Sequence, residues 1–325
     1  MSFSSPLAPL RTWHRPLVVF AGAMALLAVV SAVGLLVDDR TLVGAPIWAK
    51  PLKFAVSFVA YCLTLAWMLQ FTTRGRKSGW WAGTVVAATS LVEIVIITGQ
   101  VIRGTRSHFN RRTPFDATLY DVMAGTVAVL WLATLIVAVL LFRSTIADRA
   151  SALAIRVGVA LGVAGAGLGF LMTQPTPAQR RTPSGIVGAH SVGVPDSGPS
   201  MPLTGWSTTG GDLRIPHFVG MHALQLIPLT LMALVALGVR IPRLRDERIR
   251  ARLVAVAGAV YAAVLALLTW QALRGQPLIH PDGATLGAAG LIAAAAILGT
   301  TAVLRLPVDR SGDGLTPEAA KQPVG

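Results

Sequence analysis

The chain has 325 residues, 54% of them apolar and 13% charged, with a net charge of +14 and a mean hydropathy of +0.65. Such values lie well outside the soluble range and leave no room for a separate soluble domain. The basic residues fall in short clusters between apolar runs, not along one face, so they read as topology signals and argue against a nucleic-acid partner.

A hydrocarbon core about 30 Å thick takes roughly 20 apolar residues per helix, and a segment in lipid must satisfy its backbone internally. The sequence therefore predicts an all-α, polytopic transmembrane bundle of eight helices, over 16–37, 53–71, 80–102, 116–142, 151–172, 216–239, 252–273 and 284–304. The first run follows Arg11, His14 and Arg15 as a signal peptide would. It is longer than a usual h-region, however, and runs into Asp38 and Asp39 without a small-residue cleavage site, so it reads as a retained helix. The sole cysteine, Cys62, lies inside the second run; it excludes an internal disulfide and reads as a buried small side chain.

Lys and Arg set the orientation. Arg11 and Arg15, the Arg74 to Lys77 cluster, Arg143, Arg149 and Arg156, the run from Arg240 to Arg252, and Arg305 all fall on one side, which puts both termini in the cytoplasm. The chain reads as one transmembrane domain over 1–306, with a long extracytoplasmic loop over 173–215 and a disordered tail over 307–325. Ile186, Val187, Val192, Met201, Leu203 and Trp206 are the apolar anchors expected to pack part of that loop. The fifth helix carries Gly158, Gly162 and Gly165, small residues that let helices approach closely.

Ionisable groups inside membrane spans are functional candidates. Glu93 stands in the third helix among Leu91, Val92, Ile94 and Val95, and Gln100 follows nearly two turns on, so one face is polar from the middle to the outer end. That helix runs out into Arg103, Arg106, His108, Asn110, Arg111 and Arg112, an excess of positive charge on the side where topology does not call for it. Asp116 sits at the start of the fourth helix, where it suits the helix N-terminus, and Asp121 lies on another face. The sixth helix opens with Arg214, His217, His222 and Gln225. Its two histidines are five residues apart, about 140° around a helix, so they do not form the one-turn pair that chelates a metal.

Three segments, Trp48-Ala-Lys50-Pro51-Leu-Lys53-Phe54, Arg103-Gly104 with Ser107-His108-Phe109-Asn110, and Gly211-Asp212-Leu213-Arg214 with His217 and His222, resemble a family of uncharacterised bacterial multi-pass membrane proteins. The resemblance covers helices two to six and implies the plasma membrane of a bacterium, but no activity. The polar motifs all fall at the outer ends of their helices, which predicts one site beneath the long loop. The leading expectation is an enzyme in which His108, His217 and His222 hold a metal ion or haem. Glu93, Asp116 and Asp121 would move protons, and Gln100, Arg103, Arg106, Asn110, Arg111, Arg214 and Gln225 would bind an anionic small molecule. The alternatives are a transporter or channel for an anionic solute, with Glu93 coupling protons, and a membrane scaffold or sensor.

Overall fold

The computed structural model describes residues 9–307. The tail expected to be disordered therefore lies outside the described residues from position 308 onward. Among the described residues, eight helices are long and apolar enough to cross a membrane. They are α1 (Arg15–Val37), α2 (Ala49–Met68), α3 (Arg76–Ile102), α4 (Pro114–Arg143), α5 (Arg149–Leu168), α7 (Arg214–Leu237), α8 (Glu247–Leu273) and α9 (Gly283–Arg305), with the short α6 (Pro177–Arg181) in the long loop. A long helix is found at each of the eight expected spans, and each begins one to five residues earlier than hydropathy places it. The early starts have local causes. Thr113, Asp148 and Asp282 each accept a backbone N–H of the first turn, from Asp116, Ser151 and Thr285. Pro16, Pro51 and Pro114 occupy first turns, where a missing N–H costs nothing.

Helix α5 packs most intimately on α7. A Cβ placed on Gly165 would lie 2.2 Å from the backbone carbon of Gly220, so the two backbones touch there. Gly158 faces Ala223 and Pro228, and Gly162 faces Leu224, so the glycine-rich face is a packing surface, as expected. Helices α1, α2, α3 and α4 share a core that includes Leu17, Cys62, Leu65, Val86 and Val137. Helix α9 leans chiefly on α8 and leaves Leu291, Ile297 and Leu298 exposed.

The bundle has two distinct ends. At one, Thr73 and Ser144 tie α2 to α4, Glu247 accepts from the backbone of Arg149, and Arg243 donates to Leu304 O. The basic clusters gather there. At the other end, loop 103–113 and the long loop between α5 and α7 are stitched together. Arg111 N donates to Gly185 O (2.7 Å), Val187 N to Phe109 O (2.9 Å) and Leu213 N to His190 O (2.9 Å). Two short strands, β1 (Ser191–Val192) and β2 (Gly211–Asp212), pair antiparallel beside them. Ile186 and Val192 pack on Phe109, Tyr120 and Met172, but Leu203, expected as an anchor, is 93% exposed.

Candidate functional site

The loop-covered end is built outward from Asp212. Its buried carboxylate takes Arg214 as a bidentate partner, through Nε (2.9 Å) and Nη2 (2.5 Å), and also accepts Ser207 N (2.8 Å). Arg214 Nη2 reaches on to Gly205 O. This pair fixes the start of α7 to the returning loop. Nearby, Phe109 is held at φ 65° with its ring buried between Tyr120 and His190. Gly188, at φ +110°, is needed opposite, because a Cβ there would fall 2.6 Å from the Phe109 ring.

Two lysines from the first turns of α2 point into this region. Lys50 Nζ lies 3.0 Å from His108 Nδ1, and Lys53 Nζ donates to Thr204 O at 3.0 Å. Both acceptors are neutral. Lys53, Arg214, Arg106 and Glu93 all lie within electrostatic reach of Lys50, and neither lysine has a carboxylate ion-pair partner among the described residues. Burial, then Lys50 and His190, hold the His108 imidazole well below its ordinary pKa, so it is neutral. With Lys50 as the ammonium, Nδ1 of His108 accepts and the imidazole proton sits on Nε2.

His190 is set the other way. Asp196 accepts from the His190 backbone N (3.0 Å), from Ser191 N (2.8 Å) and from His190 Nδ1 (3.1 Å). Burial would raise the Asp196 carboxyl, but the His190 bond and these backbone donors hold it well below the usual range. Burial also lowers the pKa of His190, against the pull of Asp196. The ring is neutral, with its proton on Nδ1 facing Asp196 and its Nε2 lone pair free.

The predicted residues divide between this cluster and separate networks. His108, Arg106 and Arg214 belong to the cluster. His217 joins it through His190, which lies within electrostatic reach, but its Nδ1 bonds Gly165 O (2.9 Å). His222 Nδ1 and Gln225 Oε1 face each other at 3.3 Å. Among the described residues no group of three His, Cys, Asp or Glu is arranged to hold a metal ion, and His108, His217 and His222 each turn to a different partner. Asp116 accepts from Gln100 (3.0 Å), Arg103 (2.7 Å) and Thr113 (2.9 Å), a network that anchors α3 to α4. Asn110 bonds Thr105 Oγ1 and Arg106 O within its own loop, and Arg111 pairs with the exposed Asp121. Glu93, 2% exposed, accepts from Thr126 Oγ1 at 2.6 Å.

His190 and Asp196 escaped the sequence reading because they sit in a Gly- and Pro-rich loop without periodicity. Lys50 and Lys53 were visible at the start of α2, yet nothing in their spacing revealed that they lack ion-pair partners. No family model, no curated protein and no solved structure matches the chain, so the resemblance carried by the Trp48, Arg103 and Gly211 segments finds no support there. Fold and site together define an all-α bundle of eight long apolar helices with a polar internal cluster of Lys, Arg, His and Asp at one end.

Proposed function

We propose that the chain is a multi-pass plasma-membrane protein whose extracytoplasmic end binds an anionic small molecule. In this reading the eight helices form one membrane domain, the basic end of the bundle faces the cytoplasm, and the long loop covers the site from outside. The positive-inside bias and the exposed apolar side chains around α1, α4 and α9 support it.

The observation that carries the anion reading is the unbalanced charge at Lys50 and Lys53. Their hydrogen bonds go to His108 and Thr204 O, while the nearby carboxylate of Asp212 is taken by Arg214. A sequestered cation without a counter-ion costs several kcal/mol, and an anion bridging the lysines removes that cost. The same charges draw anionic solutes from solution. A metal- or haem-dependent reaction has no comparable support, because the three histidines serve different partners.

Calorimetric titration of the detergent-purified protein with a panel of phosphate, sulfate, citrate and acetate tests this. Saturable binding that weakens with salt and is lost in the Lys50→Met, Lys53→Met double variant is expected. Without anion, that variant should be at least as thermally stable as the parent, since it relieves like-charge repulsion. Failure of every anion to bind the parent sinks the reading. Transport is a second reading, favoured by Glu93 lying within electrostatic reach of Lys50 from deeper in the bundle. It requires uptake into proteoliposomes that Glu93→Gln abolishes while binding persists.

A further inference from the structure

The anion site contains donors in abundance, and it also contains something a purely anion-binding site lacks: hydrogen-bond acceptors with no partner. Asp196 fixes the His190 proton on Nδ1, at 3.1 Å. That leaves the Nε2 lone pair without a partner among the described residues, within electrostatic reach of Lys50 and Arg214. His217 repeats the arrangement: Gly165 O takes its Nδ1 proton at 2.9 Å and leaves a second Nε2 lone pair. The ring of His190 has little freedom to turn away. Its backbone N and that of Ser191 are both tied to Asp196, its carbonyl accepts Leu213 N, and Phe109 packs on its face at 4.9 Å between centroids.

A fully deprotonated oxyanion presents only lone pairs, and a lone pair facing His190 Nε2 repels it. A hydroxyl on the anion turns the same contact into a hydrogen bond. We infer that the site selects an oxyanion that carries a hydroxyl, as a hydrogenphosphate or a protonated phosphate monoester does, with Lys50 and Lys53 on its charged oxygens and His190 Nε2 accepting from its O–H. This rests on the anion reading above and adds the chemical class of the ligand. The phosphate group comes either free in solution or as the headgroup of a lipid.

The probe pair is inorganic phosphate and sulfate, which share tetrahedral shape and charge in mildly alkaline buffer and differ in the hydroxyl. The intact protein in detergent should bind phosphate at least about tenfold more tightly than sulfate, the scale of one hydrogen bond to a charged group made or lost. Asp196→Asn provides the decisive variant. Its amide oxygen must stay with the two backbone N–H donors, so its NH2 faces His190 Nδ1 and drives the ring proton to Nε2. An acceptor becomes a donor, and the preference should shift toward sulfate. His190→Phe, which keeps the packing on Phe109, should bring the two affinities together.

Equal affinity for phosphate and sulfate in the parent overturns the inference while leaving the anion reading intact, as does binding of sulfate or acetate, which carry no hydroxyl, without phosphate. An Asp196→Asn protein that weakens both anions by the same factor assigns the pair a structural role and also overturns it. If no anion binds the parent, both readings fall. Competition by short-chain phosphatidic acid below the inorganic phosphate concentration identifies a lipid headgroup as the source, and its absence identifies the free anion; the selectivity stands in either case.

Discussion

Charged residues at the loop-covered end separate into those whose hydrogen-bonding capacity is consumed and those with capacity left over. Asp116 belongs to the first kind. Its carboxylate, 6% exposed, accepts from Gln100, Arg103 and Thr113, so it holds the α3–α4 connection instead of waiting for a ligand. Asp116→Ala strips three donors of their acceptor and should cost about 1–3 kcal/mol, read as a lower melting temperature in detergent, with anion affinity retained. Lys50 and Lys53 belong to the second kind, so their removal should cost affinity and not stability. A variant pair behaving the opposite way would exchange the two assignments.

Among elements, the α5–α7 contact carries the geometry of the site, because α7 presents Arg214 and His217 while α5 supplies the carbonyl that fixes the His217 tautomer. The contact depends on two glycines meeting backbone to backbone. Gly165→Ala would put a methyl group 2.2 Å from the Gly220 carbon, so α7 must move away at a cost of about 1–3 kcal/mol. The melting temperature should fall, and because His217 moves with α7, anion affinity should fall too. Gly22→Ala is the control: nothing lies within 4 Å of a Cβ there, and an alanine favours helix by up to ~1 kcal/mol. Equal melting temperatures for the two variants would mean that α5 and α7 are not in close contact.

For the molecule as a whole, the sequence provides its own topology reporter. Cys62 is the sole cysteine and is fully buried, so a second cysteine on an exposed site can be labelled without removing it. Leu203→Cys, on the 93% exposed loop tip, should react with a membrane-impermeant maleimide added to intact cells. Ile241→Cys, at the basic end and 44% exposed, should react only after permeabilisation. The reverse pattern would turn the bundle over and put the anion site in the cytoplasm.

The eight helices were legible in the sequence because span length and internal backbone satisfaction are local properties, and so are the caps at Thr113, Asp148 and Asp282 that set helix starts within a few residues. The glycine face of α5 was legible for the same reason. The shared level of His108, Arg106 and Arg214 followed from counting spans. What the sequence could not determine is which groups satisfy one another. Lys50 meets His108 across 58 positions and Lys53 meets Thr204 across 151. His190 and Asp196, only six apart, belong to a loop whose shape is imposed by its backbone bonds to 103–113 and to the start of α7. Hydrogen-bond satisfaction is a property of the folded whole: Gln100, Asp116 and Glu93 looked available as isolated polar residues. Only the tertiary structure assigned them partners and, among the described residues, left the two lysines without an ion-pair partner and the Nε2 of His190 without a donor.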